Sequence, residues 1–157
     1  MDFDPSRLRR GELIAGAGAP LLLAFVFVLP WFGRGGGAAS LNGWQSLTSI
    51  RWLMLLCILA AMGLFFLQAT RPAPALPVTM SLIVTVLGGL SVLALIYRVL
   101  INVPGPDGLL HPKLGAFLGL ITAGAIAAGG FLSMRQEGLA PRDARTEIRT
   151  VTLGGED

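Results

Sequence analysis

The chain has 157 residues, 54% of them hydrophobic and only 13% charged, where a soluble domain averages roughly a quarter charged. The net charge of +3 comes from Lys and Arg residues that flank apolar runs, without the basic patch interleaved with aromatics that a nucleic-acid groove needs, so no nucleic acid is expected as partner. A single cysteine, Cys57, excludes an intramolecular disulfide, and it lacks the neighbouring Cys and His residues of a zinc site.

Segment 1–12 reads as a cytoplasmic N-terminal segment. Asp4 and Pro5 look like the cap and first position of a helix, and Arg7, Arg9 and Arg10 follow. The first apolar run, 13–32, is long enough to cross a hydrocarbon core of about 30 Å. A signal-peptide core is shorter, about 7 to 15 residues, so the run is expected to be a retained anchor although Gly37-Ala38-Ala39 offers a weak cleavage site. Pro20 deprives the Gly16 carbonyl of its helical hydrogen bond and predicts a kink. Gly11, Ala15 and Ala19 make a small-residue stripe, and Glu12 is expected at the cytoplasmic lip, ion-paired with Arg9 or Arg10.

The loop 33–51 follows. Trp44, Leu47 and Ile50 recur at three-residue spacing, which predicts a short interfacial helix with one face on lipid or on a partner. The second span is 52–69, with Cys57 a buried small hydrophobe, and a proline-rich connection over 70–77 leads to the third span, 76–101. Ser81, Thr85, Gly88 and Ser91 form a mildly polar stripe on it, suited to hydrogen bonds between helices. In the loop 102–113, Asp107 and His111 are too few for a metal site, which wants three or four ligands. The fourth span, 114–134, carries Gly115, Gly119, Ala123 and Ala127 at helical spacing. This small-xxx-small stripe is expected to pack helices within the bundle, with a homo-oligomer contact as the alternative. The remaining 135–157 reads as a flexible cytoplasmic tail.

In a four-span alternation Arg7, Arg9, Arg10, Arg71, Arg135, Arg142, Arg145 and Arg149 gather on one side, and Arg34, Arg51, Arg98 and Lys113 on the other. The positive-inside rule puts both termini in the cytoplasm, and Trp31, Trp52 and Tyr97 then form an aromatic belt at the outer interface. The expectation is an all-α membrane protein, an antiparallel four-helix transmembrane bundle over 13–134 in the cell inner membrane.

Two resemblances bear on function. Small multidrug exporters are also short four-helix chains, but they rely on a membrane-embedded Glu in the first helix, and Glu12 is placed too shallow for that role. The segments Arg10-Gly11-Glu12-Leu13-Ile14-Ala15-Gly16 and Leu29-Pro30-Trp31-Phe32-Gly33, then Trp44 and the stretch from Leu67-Gln68-Ala69-Thr70 to Pro77, resemble small four-span membrane proteins of actinobacteria. That resemblance implies the topology and a bacterial inner membrane, and it transfers no site. No catalytic, cofactor-binding or metal residue is nominated. The chain is expected to be a non-enzymatic structural or accessory membrane subunit whose partners are the lipid bilayer and another membrane protein or a second copy. The alternative is a small transporter or channel component that works as an oligomer, which would show a polar cavity between helices where a scaffold packs dry.

Overall fold

The computed structural model describes Leu8 and residues 10–34, 40–70, 77–105 and 110–138, with side chains of 77–79 and 137–138 excluded. Most of the described chain is helical: α1 Arg10–Val28, the short α2 Gly43–Ser46, α3 Arg51–Thr70, α4 Pro77–Ile96 and α5 Leu114–Gly138. A π-helical turn, Tyr97–Ile101, extends α4. Four helices are long and apolar enough to cross a membrane: Arg10–Val28, Arg51–Thr70, Met80–Ile101 and Leu114–Gln136. The expected N-terminal helix start, most of the 70–77 connection, Asp107 and the tail from 139 onward lie outside the described residues.

The chain is not purely α, which corrects the all-α expectation. Strands β1 Pro30–Arg34, β2 Ser40–Asn42 and β3 Leu110–Pro112 form an antiparallel sheet in the order β2-β1-β3. Phe32 pairs with Leu41 on one side and with Pro112 on the other, and a register shift follows Pro30. The expected first span, 13–32, is shortened for the same reason. The residue before a proline is pushed out of helical geometry, so α1 stops at Val28 and Trp31 and Phe32 enter a strand. Pro30 opens its strand and Pro112 lies in an edge strand, two places where a sheet tolerates proline.

The principal seams are α1–α3, α3–α4, α4–α5 and α5–α1, so the four long helices form a closed ring. Small residues set the α5 seams. A Cβ built at Gly129 would lie 2.7 Å from the Ala15 nitrogen, and one at Gly11 would lie 2.5 Å from the Ser133 nitrogen. Gly18 meets Ile126 in the same way, so the α5 contact falls from 133 to 129 to 126 as α1 rises from 11 to 15 to 18. On the α4 side, Gly88 abuts the Ala127 backbone and Gly130 abuts Thr85. Backbones approach closely on both sides of α5, which is what small-xxx-small spacing provides.

The outside is apolar all round. Leu21 and Val28 of α1, Leu56 and Leu59 of α3, Leu90 and Leu93 of α4, and Phe117 and Ile121 of α5 are all exposed. Pro20 also faces outward.

Candidate functional site

Each end of the bundle carries one polar feature. At the end away from the sheet, α1 begins, α4 begins and α5 finishes. Glu12 stands on the same face of α1 as Ala15, Ala19, Leu22 and Val26, all buried, so helical periodicity turns its carboxylate inward. It is only 2% exposed. The Ser133 hydroxyl of α5 donates toward Glu12 Oε1 at 3.4 Å, and the Ser81 and Ser133 hydroxyls are 3.0 Å apart. A carboxylate and two hydroxyls thus join three helices in a buried contact. The approach depends on Gly11, which lets the start of α1 lie directly against the α5 backbone at Gly129 and Ser133. Glu12 stands in the first turn of α1, at the expected lip, but its carboxylate turns into the bundle while Arg10 is exposed; Arg9 lies outside the described residues. Sequence periodicity carried that signal, since 12, 15, 19, 22 and 26 repeat in steps of three and four.

Of the polar stripe on α4, Ser81 and Gly88 face α5, and the Thr85 hydroxyl donates back to the Ser81 carbonyl at 2.7 Å. Ser91 is fully buried and stands against the Cys57 thiol of α3 without a well-formed hydrogen bond.

At the sheet end, Trp31 is the central side chain. It is fully buried, and its indole N–H donates to the Phe25 carbonyl at 2.7 Å. The ring lies against Gly43, Gly115 and Gly119, with the six-membered ring directly over Gly119. Lys113 ties β1 to the start of α5, its backbone N–H donating to the Trp31 carbonyl at 2.8 Å. Trp31 therefore leaves the predicted aromatic belt. The apparent interface marker is a core wedge, because the early end of α1 carries it under the sheet. Trp52 and Tyr97 are at least half exposed, 60% and 50%.

The predicted interfacial helix is also altered. Asn42 caps α2 through a reciprocal contact with Gln45, and α2 ends at Ser46. Leu47 is fully buried, and Trp44 and Ile50 are half-buried and packed against the core. One turn cannot hold a continuous amphipathic face, so Leu47 plugs the bundle where lipid contact was expected. Trp44 stacks on Phe27 at 5.2 Å between centroids and meets Trp52 edge-on at 5.8 Å. The Arg51 guanidinium lies over both Trp44 and Trp52, 5.2 and 5.6 Å from their centroids. Sequence reasoning placed Arg51 only as a topology marker, and the adjacent Arg51-Trp52 pair after Trp44 was the available signal.

Gly115 and Gly119 pack on Trp31, Ala123 is fully buried, and Ala127 meets Gly88. The whole stripe is thus used inside one copy of the chain. His111 is exposed in β3. Among the described residues no three His, Cys, Asp or Glu side chains converge. Compared with protein-family models, with curated proteins and with solved structures, the chain matches none.

Proposed function

We propose that the chain is an integral membrane protein, an antiparallel four-helix transmembrane bundle with both termini in the cytoplasm, acting as a structural or accessory subunit. The observation that carries the reading is the distribution of side chains. Four helices of membrane-spanning length expose Leu, Ile, Val and Phe outward and meet one another through Gly, Ala and Ser. In water that outer surface would be a severe liability, whereas in lipid it is the ordinary exterior. An inner-membrane location and a kinship with the small four-span actinobacterial proteins are part of the same proposal. A bundle whose interior is filled by close backbone contact offers its outer faces and its ends for recognition, which suits a non-enzymatic partner subunit.

A second reading, a small transporter or channel component active as an oligomer, is favoured by one observation, the buried Glu12. An ionisable group inside a span is by default a functional candidate, since its burial is expensive. One experiment separates the two. The chain, solubilised from native membranes in a mild detergent, should co-purify with a distinct membrane protein in fixed stoichiometry. Purification as a homo-oligomer that conducts ions in proteoliposomes, with conduction lost in Glu12→Gln, would replace the first reading with the second.

A further inference from the structure

We infer that the outward face of the sheet binds a phosphate group, held by Ser40, His111 and Lys113 over Gly33. The inference goes beyond the membrane reading and needs only the sheet. Gly33 of β1 pairs with Ser40 of β2 on one side and with His111 of β3 on the other, so the three form one row across the sheet. Residues paired directly across antiparallel strands carry their side chains on the same face. The neighbouring row, Leu41, Phe32 and Pro112, contains the fully buried Phe32 and faces the bundle. Successive residues of a strand alternate, so the row of Ser40, Gly33 and His111 faces away from it. Exposure agrees: Ser40 and His111 are exposed, while Leu41 and Pro112 are half-buried.

Lys113 completes the row. Its side chain folds over Gly33, where a Cβ would lie 2.6 Å from Nζ and would also meet Cε. The ammonium therefore stands over the middle of the row, with a hydroxyl-bearing residue on one flank and an imidazole on the other. Glycine at the centre is what permits this, since a side chain at 33 would take the place of the ammonium. The lysine is carried on anchored backbone: its N–H donates to the Trp31 carbonyl at 2.8 Å and its carbonyl accepts from the Ala116 N–H at 3.0 Å. The second bond closes the first turn of α5, whose N-terminal end adds to the positive field.

The donor set selects the ligand. An ammonium, an imidazole N–H and a hydroxyl all suit an oxyanion. Strands 4.7–4.9 Å apart put the Ser40 and His111 Cα atoms about 10 Å from one another across Gly33, a gap that a tetrahedral oxyanion with a hydrogen bond on each side can bridge. Phosphate presents oxygens in several directions, whereas a carboxylate presents two in one plane. The charge of this end agrees: segments 29–51 and 97–113 contain Arg34, Arg51, Arg98 and Lys113 against a single carboxylate, Asp107.

The test uses the full chain purified in a neutral detergent and stripped of lipid. Phosphorus NMR titrations with inorganic phosphate, and separately with phosphatidylglycerol in mixed micelles, should show saturable binding. Binding of inorganic phosphate assigns a soluble ligand, and binding of phosphatidylglycerol alone assigns a lipid head group. Lys113→Gln, His111→Gln and Ser40→Ala should each weaken that binding about three- to ten-fold, the range of one hydrogen bond to a charged partner at an exposed site. Arg34→Gln, in the next row, and Arg135→Gln, at the opposite end, should leave it unchanged. No saturable binding of either phosphate, or undiminished binding in Lys113→Gln/His111→Gln, would overturn the site. Equal weakening by Arg34→Gln would overturn it too, by reducing it to diffuse charge. If Lys113→Gln does not fold, His111→Gln and Ser40→Ala still decide, since both positions are exposed and neither substitution touches the anchoring bonds of residue 113.

Discussion

Trp31 and Gly119 should be strongly coupled, and a double-mutant cycle measures how strongly. The Trp31 ring is walled by residues without side chains: a Cβ at Gly43 would lie 2.8 Å from Cε2, one at Gly115 2.8 Å from Cδ1, and one at Gly119 would fall on the six-membered ring. The ring cannot swing aside without giving up the bond from Nε1 to the Phe25 carbonyl. Overpacking of this kind costs about 1–3 kcal/mol. Alanine regains about 0.5–1 kcal/mol over glycine inside a helix, so Gly119→Ala should destabilise by up to about 2.5 kcal/mol net. Trp31→Phe removes both the obstructing ring edge and the indole donor. The Phe25 carbonyl keeps its bond from the Leu29 N–H at 3.3 Å, so only the net worth of one hydrogen bond, about 0.5–1.5 kcal/mol, and some packing are lost. The larger transfer term of an aqueous core is not expected, because an unfolded span still leaves residue 31 near lipid.

In the double variant the alanine methyl enters the volume that the indole vacates. Its cost should therefore fall short of the sum by about 1–2 kcal/mol, well beyond the 0.3–0.5 kcal/mol scatter of independent sites. Equilibrium unfolding in mixed micelles of sodium dodecyl sulfate and a neutral detergent, followed by far-UV circular dichroism, gives the four values. Additive costs would refute the placement of Trp31 over Gly119. A change of oligomeric state in Gly119→Ala, whatever occupies position 31, would instead return the stripe to an interface between copies.

Other expectations follow from the same packing. Gly129→Ala, whose new methyl would meet the Ala15 nitrogen and the Gly11 carbonyl at 2.7 Å, should destabilise by about 1–3 kcal/mol in that unfolding assay. Gly124→Ala, with nothing within 4 Å of its Cβ, should be neutral or stabilise by up to about 1 kcal/mol, and the reverse order would contradict the α1–α5 seam. Reporter fusions after Gly138 and after Ala69 should read cytoplasmic, and one inserted near Gly36 should read external; inverted signals would overturn the proposed orientation.

The helices were legible in the sequence because hydropathy and length alone define them. The second and fourth begin within a residue of where the apolar runs begin, at Arg51 and Leu114. The sheet was not legible. Its strands are three to five residues long, two of them carry a proline, and they lack alternation, so their pairing is a tertiary fact with no local period. Trp31 was misplaced by a rule that is sound for surface residues, since aromatic belts describe rings facing lipid and Trp31 faces three glycines. Glu12 stands at the expected depth, in the first turn of α1, and its phase on the helix decides that it faces inward.

A single pattern on α5 serves two different neighbours, and the chain reversal at Pro30 explains why. The α1–α5 contact runs from 11 against 133 to 18 against 126, so both helices finish at nearly the same level at the sheet end. Near one end, Gly129 meets the backbone of α1 and Ala127 meets that of α4, the ordinary use of small residues between helices. At the other end α1 stops at Val28, about level with residue 116 of α5, and the chain turns back as β1. The Pro30 carbonyl then meets Gly115, and the Trp31 ring folds in against Gly115 and Gly119. The glycines at 115 and 119 are therefore not spare helix-dimer surface. They admit the Trp31 wedge where the chain reverses after α1, and the strands in turn pair backbone groups that the end of the helix would leave open.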